Sequence, residues 1–147
     1  MLGITILSKP SDDDLSGFLY RELDNKNAVI GVNQTHHPNR RRFTIAHEIG
    51  HFIMHDFEGF HFDSNNQKYL LKLRSKNSHL FNPAEEREAN EFAAELLMPK
   101  AFIQEDMKAF SDKDLMYDED LTELAKKYKV SVQALTFRLQ NLGHLAD

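Results

Sequence analysis

Two histidines and a glutamate stand at a spacing that suits metal-assisted hydrolysis. Residues 47–51 read His-Glu-Ile-Gly-His. Because positions i and i+4 of a helix share one face, His47 and His51 can both direct an imidazole at one metal ion. Glu48 lies about 100° further round the helix, off the ligand face but within reach of a water at the metal, where a general base must stand. The motif therefore predicts a zinc site with Glu48 as its base.

The third ligand of such a site must come from another part of the chain. A histidine six residues after His51 would be one source, but Phe57 stands there, which excludes the metzincin pattern. A carboxylate on a later helix is the other common source, and it leaves one metal position open. Glu86 and Asn90 form an i, i+4 pair on one helix face. This spacing favours Glu86 over Glu88 as the ligand, with Asn90 hydrogen-bonded to the free nitrogen of a ligating imidazole.

Other histidines have less specific signals. His55 follows His51 by one turn, and a hydrogen-bonding structural role is expected for it because a further ligand on the same helix face is geometrically awkward. Solvent exposure in loops is expected for each of four others: His36, His37, His61 and His79. One of these, or Tyr69, is expected to donate to the oxyanion of the reaction, and the sequence does not single it out.

The elements that must position the motif follow from hydrophobic periodicity. Residues 3–7 and 28–32 are short, apolar and β-branched, which predicts two strands, whereas residues 15–22 suit either a strand or a short helix. A helix is predicted over 40–55, with Asn39 as its N-cap. Its core-facing stripe is predicted to consist of Phe43, Ala46, Gly50 and Ile53. A close neighbour is expected at Gly50, because glycine inside a helix otherwise lowers stability.

The second predicted helix has a clear beginning. Asn82 is a good N-cap, Pro83 suits the first helical position, and Glu85 completes a capping-box pattern. The helix must end before Pro99. The preceding residues 57–81 look irregular, with a strand predicted at 69–73. Further helices are predicted at 100–110, at 121–128, and from a cap at Ser131 to a stop at Gly143.

The whole chain has the composition of an ordinary globular domain. It contains 147 residues, 41% of them hydrophobic and 28% charged, with a net charge of −5. Cysteine is absent, so a metal must be held by histidine and carboxylate. With no apolar run long enough for a membrane span and no basic segment before the short N-terminal apolar stretch, a cytoplasmic protein is expected. The expected architecture is a single α+β domain over 1–147, a small antiparallel or mixed sheet packed on a helical bundle that carries the motif helix.

Several segments resemble the ImmA/IrrE family of zinc metallopeptidases. FTIAHEIGHFIMH at 43–55 and EREANEFAAELLMP at 86–99 match in content and order, as does IGVN…RRRF before them. The C-terminal VSxxALxxRLxxLG matches weakly. The resemblance implies His47, His51 and Glu86 as zinc ligands, Glu48 as catalytic base, and Asn90 at the place of the acidic residue in the ExxxD pattern of thermolysin-like enzymes. Family members often have a helix before the first strand, whereas this sequence begins almost at the first predicted strand.

The resemblance also implies a biological role. That role is regulated cleavage of a protein, typically a helix-turn-helix transcriptional repressor of a phage or mobile element. Two other classes remain open: a non-catalytic metal-binding regulator or toxin–antitoxin component, and a DNA-binding regulator that uses the helix-turn-helix-like C-terminus. The acidic net charge, and a last helix with one arginine and no lysine, both weigh against nucleic acid as a partner.

Overall fold

The computed structural model describes residues 1–24, 26–75, 77–110 and 118–147. The described residues form a four-stranded sheet and six α-helices, which confirms the α+β class. The strands are β1 (Ile4–Lys9), β2 (Gly17–Arg21), β3 (Ala28–Asn33) and β4 (Gly59–Asp63). The helices are α1 (Pro38–Met54), α2 (Gln67–Leu73), α3 (Pro83–Leu97), α4 (Lys100–Met107), α5 (Asp118–Tyr128) and α6 (Val132–Asn141), with a 3₁₀ turn at Lys108–Phe110. None of the described helices is both long and apolar enough to cross a membrane.

The sheet is mixed and has the strand order β1-β3-β2-β4. β1 runs parallel to β3, while β2 runs antiparallel to both β3 and β4. The strands predicted at 3–7 and 28–32 are confirmed, and residues 15–22 contain a strand rather than a helix. β4 was not predicted, because it lies in the segment that looked irregular. Its pairing with β2 sets Leu19 opposite His61.

The chain divides into two compact units, Met1–Phe92 and Ala93–Asp147. In the first unit α1 packs on β2 and β3, and three of its apolar residues lie against the sheet core: Ile45, Ile49 and Phe52. The predicted core stripe of α1 was therefore wrong in part. Ala46 and Gly50 are buried, but Ile53 is 50% exposed, because the sheet meets the neighbouring face of the helix. A Cβ on Gly50 would lie 3.1 Å from the ring of Phe92, so the expected close neighbour is a side chain.

Capping groups set the helix boundaries. The N-cap of α1 is His37 and not Asn39, because the ring Nδ1 of His37 accepts the Asn39 N–H and Pro38 takes the first turn. The capping box of α3 is confirmed, since Asn82 Oδ1 accepts the Glu85 N–H and Glu85 Oε2 accepts the Asn82 N–H, each at 2.9 Å.

The strand predicted at 69–73 was wrong, because these residues belong to α2. Asn66 Oδ1 accepts the N–H groups of Lys68 and Tyr69 and so begins a helix.

In the second unit, Ser131 caps α6 as predicted, and Gly143 follows it with a φ of +78°. The core of this unit is formed by Met98, Ile103, Leu124, Ala125, Tyr128, Val130, Leu135 and Leu139.

Candidate metal centre

Three side chains of the first unit converge on one point. His47 and His51 are buried on α1, and their Nε2 atoms lie 3.1 Å apart. Glu86, in the first turn of α3, places Oε2 3.2 Å from the first of these nitrogens and 3.4 Å from the second. Zinc ligands at about 2.0–2.1 Å in a tetrahedron stand about 3.3–3.4 Å from one another. Two imidazoles and a carboxylate at these separations fit a zinc ion, and the three residues are those named from the sequence.

Asn90 fixes the orientation of the first imidazole. Its Oδ1 lies 2.9 Å from His47 Nδ1. An amide oxygen only accepts hydrogen bonds, so Nδ1 of His47 carries a proton. Nε2, which faces Glu86 and His51, is then the nitrogen that can bind a metal once any proton on it is displaced. The structure thus makes the contact that the sequence predicted for Asn90, one turn after Glu86 on α3. This is the tautomer that a metal ligand requires.

Glu48 is fully buried, and its two carboxylate oxygens have different surroundings. Oε2 lies 3.1 Å from His61 Nδ1. Oε1 is buried and has no hydrogen-bond partner in the described parts of the chain. A buried acceptor without a partner is costly unless a water or a substrate proton meets it. This oxygen is therefore the atom of the centre that is best placed to accept a proton.

His61 is a site residue that the sequence named only as one of several candidate donors to the oxyanion. It was expected to be exposed in a loop, but it lies on β4 with 3% exposure. Its Nδ1 contacts Glu48, and its Nε2 lies 3.1 Å from Glu86 Oε1. One ring therefore joins the predicted base to the predicted third ligand.

The missed signal is the alternation Phe60-His61-Phe62-Asp63, which has the period of a strand. That period puts His61 and Asp63 on one face of β4.

His36 was also expected to be exposed, but it is buried. Its Nε2 lies 3.0 Å from the Asp13 carbonyl oxygen.

Asp63 gives the centre an overlapping second set of donors. Its carboxylate, with His47 and Glu48, forms a further group that could hold an ion. Burial, and then the charge of Glu48, raise the pKa of Asp63 to about 6. This second set has a single imidazole and would occupy the predicted base. Zinc prefers nitrogen donors to carboxylates alone, so the set with both histidines and Glu86 is the better zinc site.

The charges of the centre are strongly coupled. Burial lowers the pKa of His47, but the hydrogen bond that His47 donates to Glu86 and the charge of Glu48 outweigh it and raise the pKa to about 9. Burial likewise opposes protonation of His61, yet the charge of Glu48 and hydrogen bonds to both glutamates raise its pKa to about 10. Burial dominates at His51 and lowers its pKa. For Glu86, the contacts of its carboxylate with these imidazoles outweigh burial and hold the pKa well below its usual range. The pocket attracts positive charge, as a cation site must.

Three other predicted residues lie outside the group of ligands. His55 makes hydrogen bonds, as expected, to His51 on one side and to Glu88 on the other. Glu88, the alternative third ligand, therefore contacts His55 and does not join the donor group. Tyr69, a candidate donor to the oxyanion, directs its hydroxyl to Asp12 Oδ2 at 3.3 Å.

Comparison of the sequence with known proteins identifies its family. The chain matches the model of a peptidase family described as the IrrE N-terminal-like domain over residues 1–140. It therefore belongs to the ImmA/IrrE family. One relative is the radiation response metalloprotease IrrE of Deinococcus radiodurans, which is 32% identical over 117 residues. That match covers 80% of this chain but 32% of the relative, so the chain spans about a third of the relative's length.

Proposed function

We propose that this protein is a zinc-dependent metalloendopeptidase. The observation that carries the proposal is the pairing of a zinc-fitting donor set with a buried carboxylate that has one partnered and one unpartnered oxygen. His47, His51 and Glu86 would hold the ion. When bound, zinc supplies a Lewis acid that polarises the peptide carbonyl and makes water more acidic.

Glu48 is the residue that moves the proton. Its Oε1 accepts a proton from the attacking water and then delivers it to the nitrogen of the leaving amine. His61 holds Oε2 of the same carboxylate, so Glu48 cannot rotate freely during the transfer. Burial of both residues keeps bulk water away from this proton.

The proposed substrate is a cytoplasmic regulatory protein, such as a helix-turn-helix repressor. Support for this part comes from family membership alone. The relative from Deinococcus radiodurans is named a radiation response metalloprotease, which describes that protein. The proposed role of this chain, regulation by proteolysis, is consistent with that name.

A DNA-binding function has weaker support. The single basic side chain of α6 is Arg138, which is 9% exposed. Its guanidinium donates to the Met98 carbonyl at 3.1 Å and pairs with the Glu95 carboxylate. A DNA-reading helix needs cations that are free to contact phosphates. Arg138 instead serves the interior of the second unit, so we expect no salt-dependent DNA binding.

Glu48→Gln tests the enzymatic proposal. Glutamine keeps the shape of the side chain but cannot take a proton, so we expect at least a ~10²-fold loss of cleavage. Zinc content by elemental analysis should stay at about one equivalent, because Glu48 is outside the proposed ligand set. Substrates are found by comparing the proteomes of cells that express the wild type or the variant.

The matched control is Glu91→Gln, which makes the same change at an exposed position of α3. It should leave the proteome change intact. A Glu48→Gln protein that removes the same substrates as the wild type would refute the mechanism. If the wild type binds zinc but removes no protein, the chain is the non-catalytic regulator.

A further inference from the structure

The second histidine ligand has an outer partner unlike that of the first. His51 Nδ1 lies 2.9 Å from His55 Nδ1, and His55 Nε2 lies 2.8 Å from Glu88 Oε2. The chain of contacts therefore runs from the proposed metal position to a carboxylate that is 57% exposed on α3. His47, in contrast, ends its outer contact at the amide of Asn90.

Hydrogen-bond polarity determines where each proton of this chain resides. A carboxylate only accepts, so His55 Nε2 must donate to Glu88. The other nitrogen of a neutral His55 ring is then an acceptor. His51 Nδ1 must donate to it, which leaves a lone pair on His51 Nε2, the atom that faces Glu86 and His47.

The surrounding contacts hold the two rings in place. His51 stacks on Phe81 at 3.8 Å with the rings almost parallel. The His55 carbonyl accepts from the Arg21 guanidinium at 2.6 Å, and the same guanidinium donates to the Phe52 carbonyl. His55 itself is the C-cap of α1 and has left the helix, with φ −120° and ψ 136°. With the His51 ring stacked and the His55 backbone held, the remaining variable at His51 is which ring nitrogen carries the proton.

We propose that Glu88 and His55 form a positioning relay that fixes the zinc-binding tautomer of His51. The relay rests on the proposed zinc site. Neither residue touches the substrate or the metal in this role. Each acts through the next ring, as outer carboxylates do for metal-bound histidines in general.

Reversing the polarity of the hydrogen bond between His55 and Glu88 tests the relay. Glu88→Lys puts a donor where an acceptor stood, so His55 must place its proton on Nδ1 and can no longer accept from His51. We expect zinc affinity, measured by competition with a chromophoric chelator, to fall about 10–100-fold. Glu88→Gln keeps an acceptor oxygen and should bind zinc like the wild type. Glu91→Lys makes the same charge change at an exposed position of α3 and is the matched control.

A spectroscopic readout separates positioning from general damage. Long-range ¹H–¹⁵N NMR spectra of the zinc-free protein should show His51 protonated at Nδ1 in the wild type and in Glu88→Gln, and at Nε2 in Glu88→Lys. His55→Phe fills the same space without an acceptor and should also weaken zinc binding. His55→Gln supplies an oxygen acceptor and should restore most of the affinity.

Two results would overturn the relay. One is equal zinc affinity in Glu88→Lys and Glu91→Lys. The other is an unchanged His51 tautomer in Glu88→Lys. Failure of the zinc site itself gives a different pattern, since His47→Ala would then bind zinc as well as the wild type.

Discussion

At the scale of single residues, protons on the buried histidine rings compete with a metal ion for the same nitrogen atoms. His47 has a pKa raised to about 9, because hydrogen bonding to Glu86 and the charge of Glu48 outweigh burial. A ring with that pKa is protonated at neutral pH, and zinc must displace the proton to bind. Glu86, whose pKa is held well below its usual range, offers no competing proton.

We therefore expect zinc affinity to rise with pH from about 6 to about 9, by up to about tenfold per unit for each proton displaced. The sign follows from the raised pKa: below it the proton competes with the metal, and above it the competition ends. Chelator competition at fixed ionic strength measures the change. Affinity that is constant over this interval would contradict the assigned electrostatics.

His61 gives a second prediction at this scale. His61→Phe preserves a flat buried ring but removes both hydrogen bonds, to Glu48 and to Glu86. Loss of such outer contacts costs about 10–100-fold in activity or metal affinity, and we expect that range for cleavage once a substrate is identified.

His79→Phe is the matched control for His61→Phe, because His79 packs beside Phe57 and Phe81 without contacting either glutamate in the described structure. Circular dichroism should show both variants folded. Equal activity of the two variants would mean that His61 has no role in holding the base.

At the scale of secondary-structure elements, the beginning of α3 determines where Glu86 lies. Asn82→Ala removes the acceptor for the Glu85 N–H and one half of the capping box. The expected loss is about 1 kcal/mol in the free energy of unfolding, measured by urea denaturation. Glu91→Ala, further along the same helix, should change it much less. An unchanged midpoint in Asn82→Ala would show that packing alone holds the first turn.

At the scale of the whole molecule, the described residues form an apolar core in each of the two compact units. The core of the second unit draws most of its residues from α5 and α6. Deleting residues 120–147 would leave Met98 and Ile103, which are almost completely buried, without their cover. We expect an insoluble or protease-sensitive protein, assayed by soluble yield and limited proteolysis. A soluble truncation with full activity would show that this core is dispensable.

Local sequence was sufficient for the elements with strong local signals. The spacing of His47 and His51, the capping box at Asn82 and the cap at Ser131 all appear as predicted. Each depends on residues within one or two helical turns, so the chain carries the information locally. The i, i+4 spacing of Glu86 and Asn90 also indicated this pair. Because the spacing puts both side chains on one face of α3, both can contact His47 on α1.

Only tertiary structure decided the features that depend on distant partners. β4 exists because β2 pairs with it, and that pairing buries His61 between Glu48 and Glu86. The face that α1 turns to the sheet, and hence the exposure of Ile53, depends on where the strands lie. The sequence does not show which single histidine side chains are buried. Their roles were set when strand pairing and helix packing brought together carboxylates that are far apart in the chain.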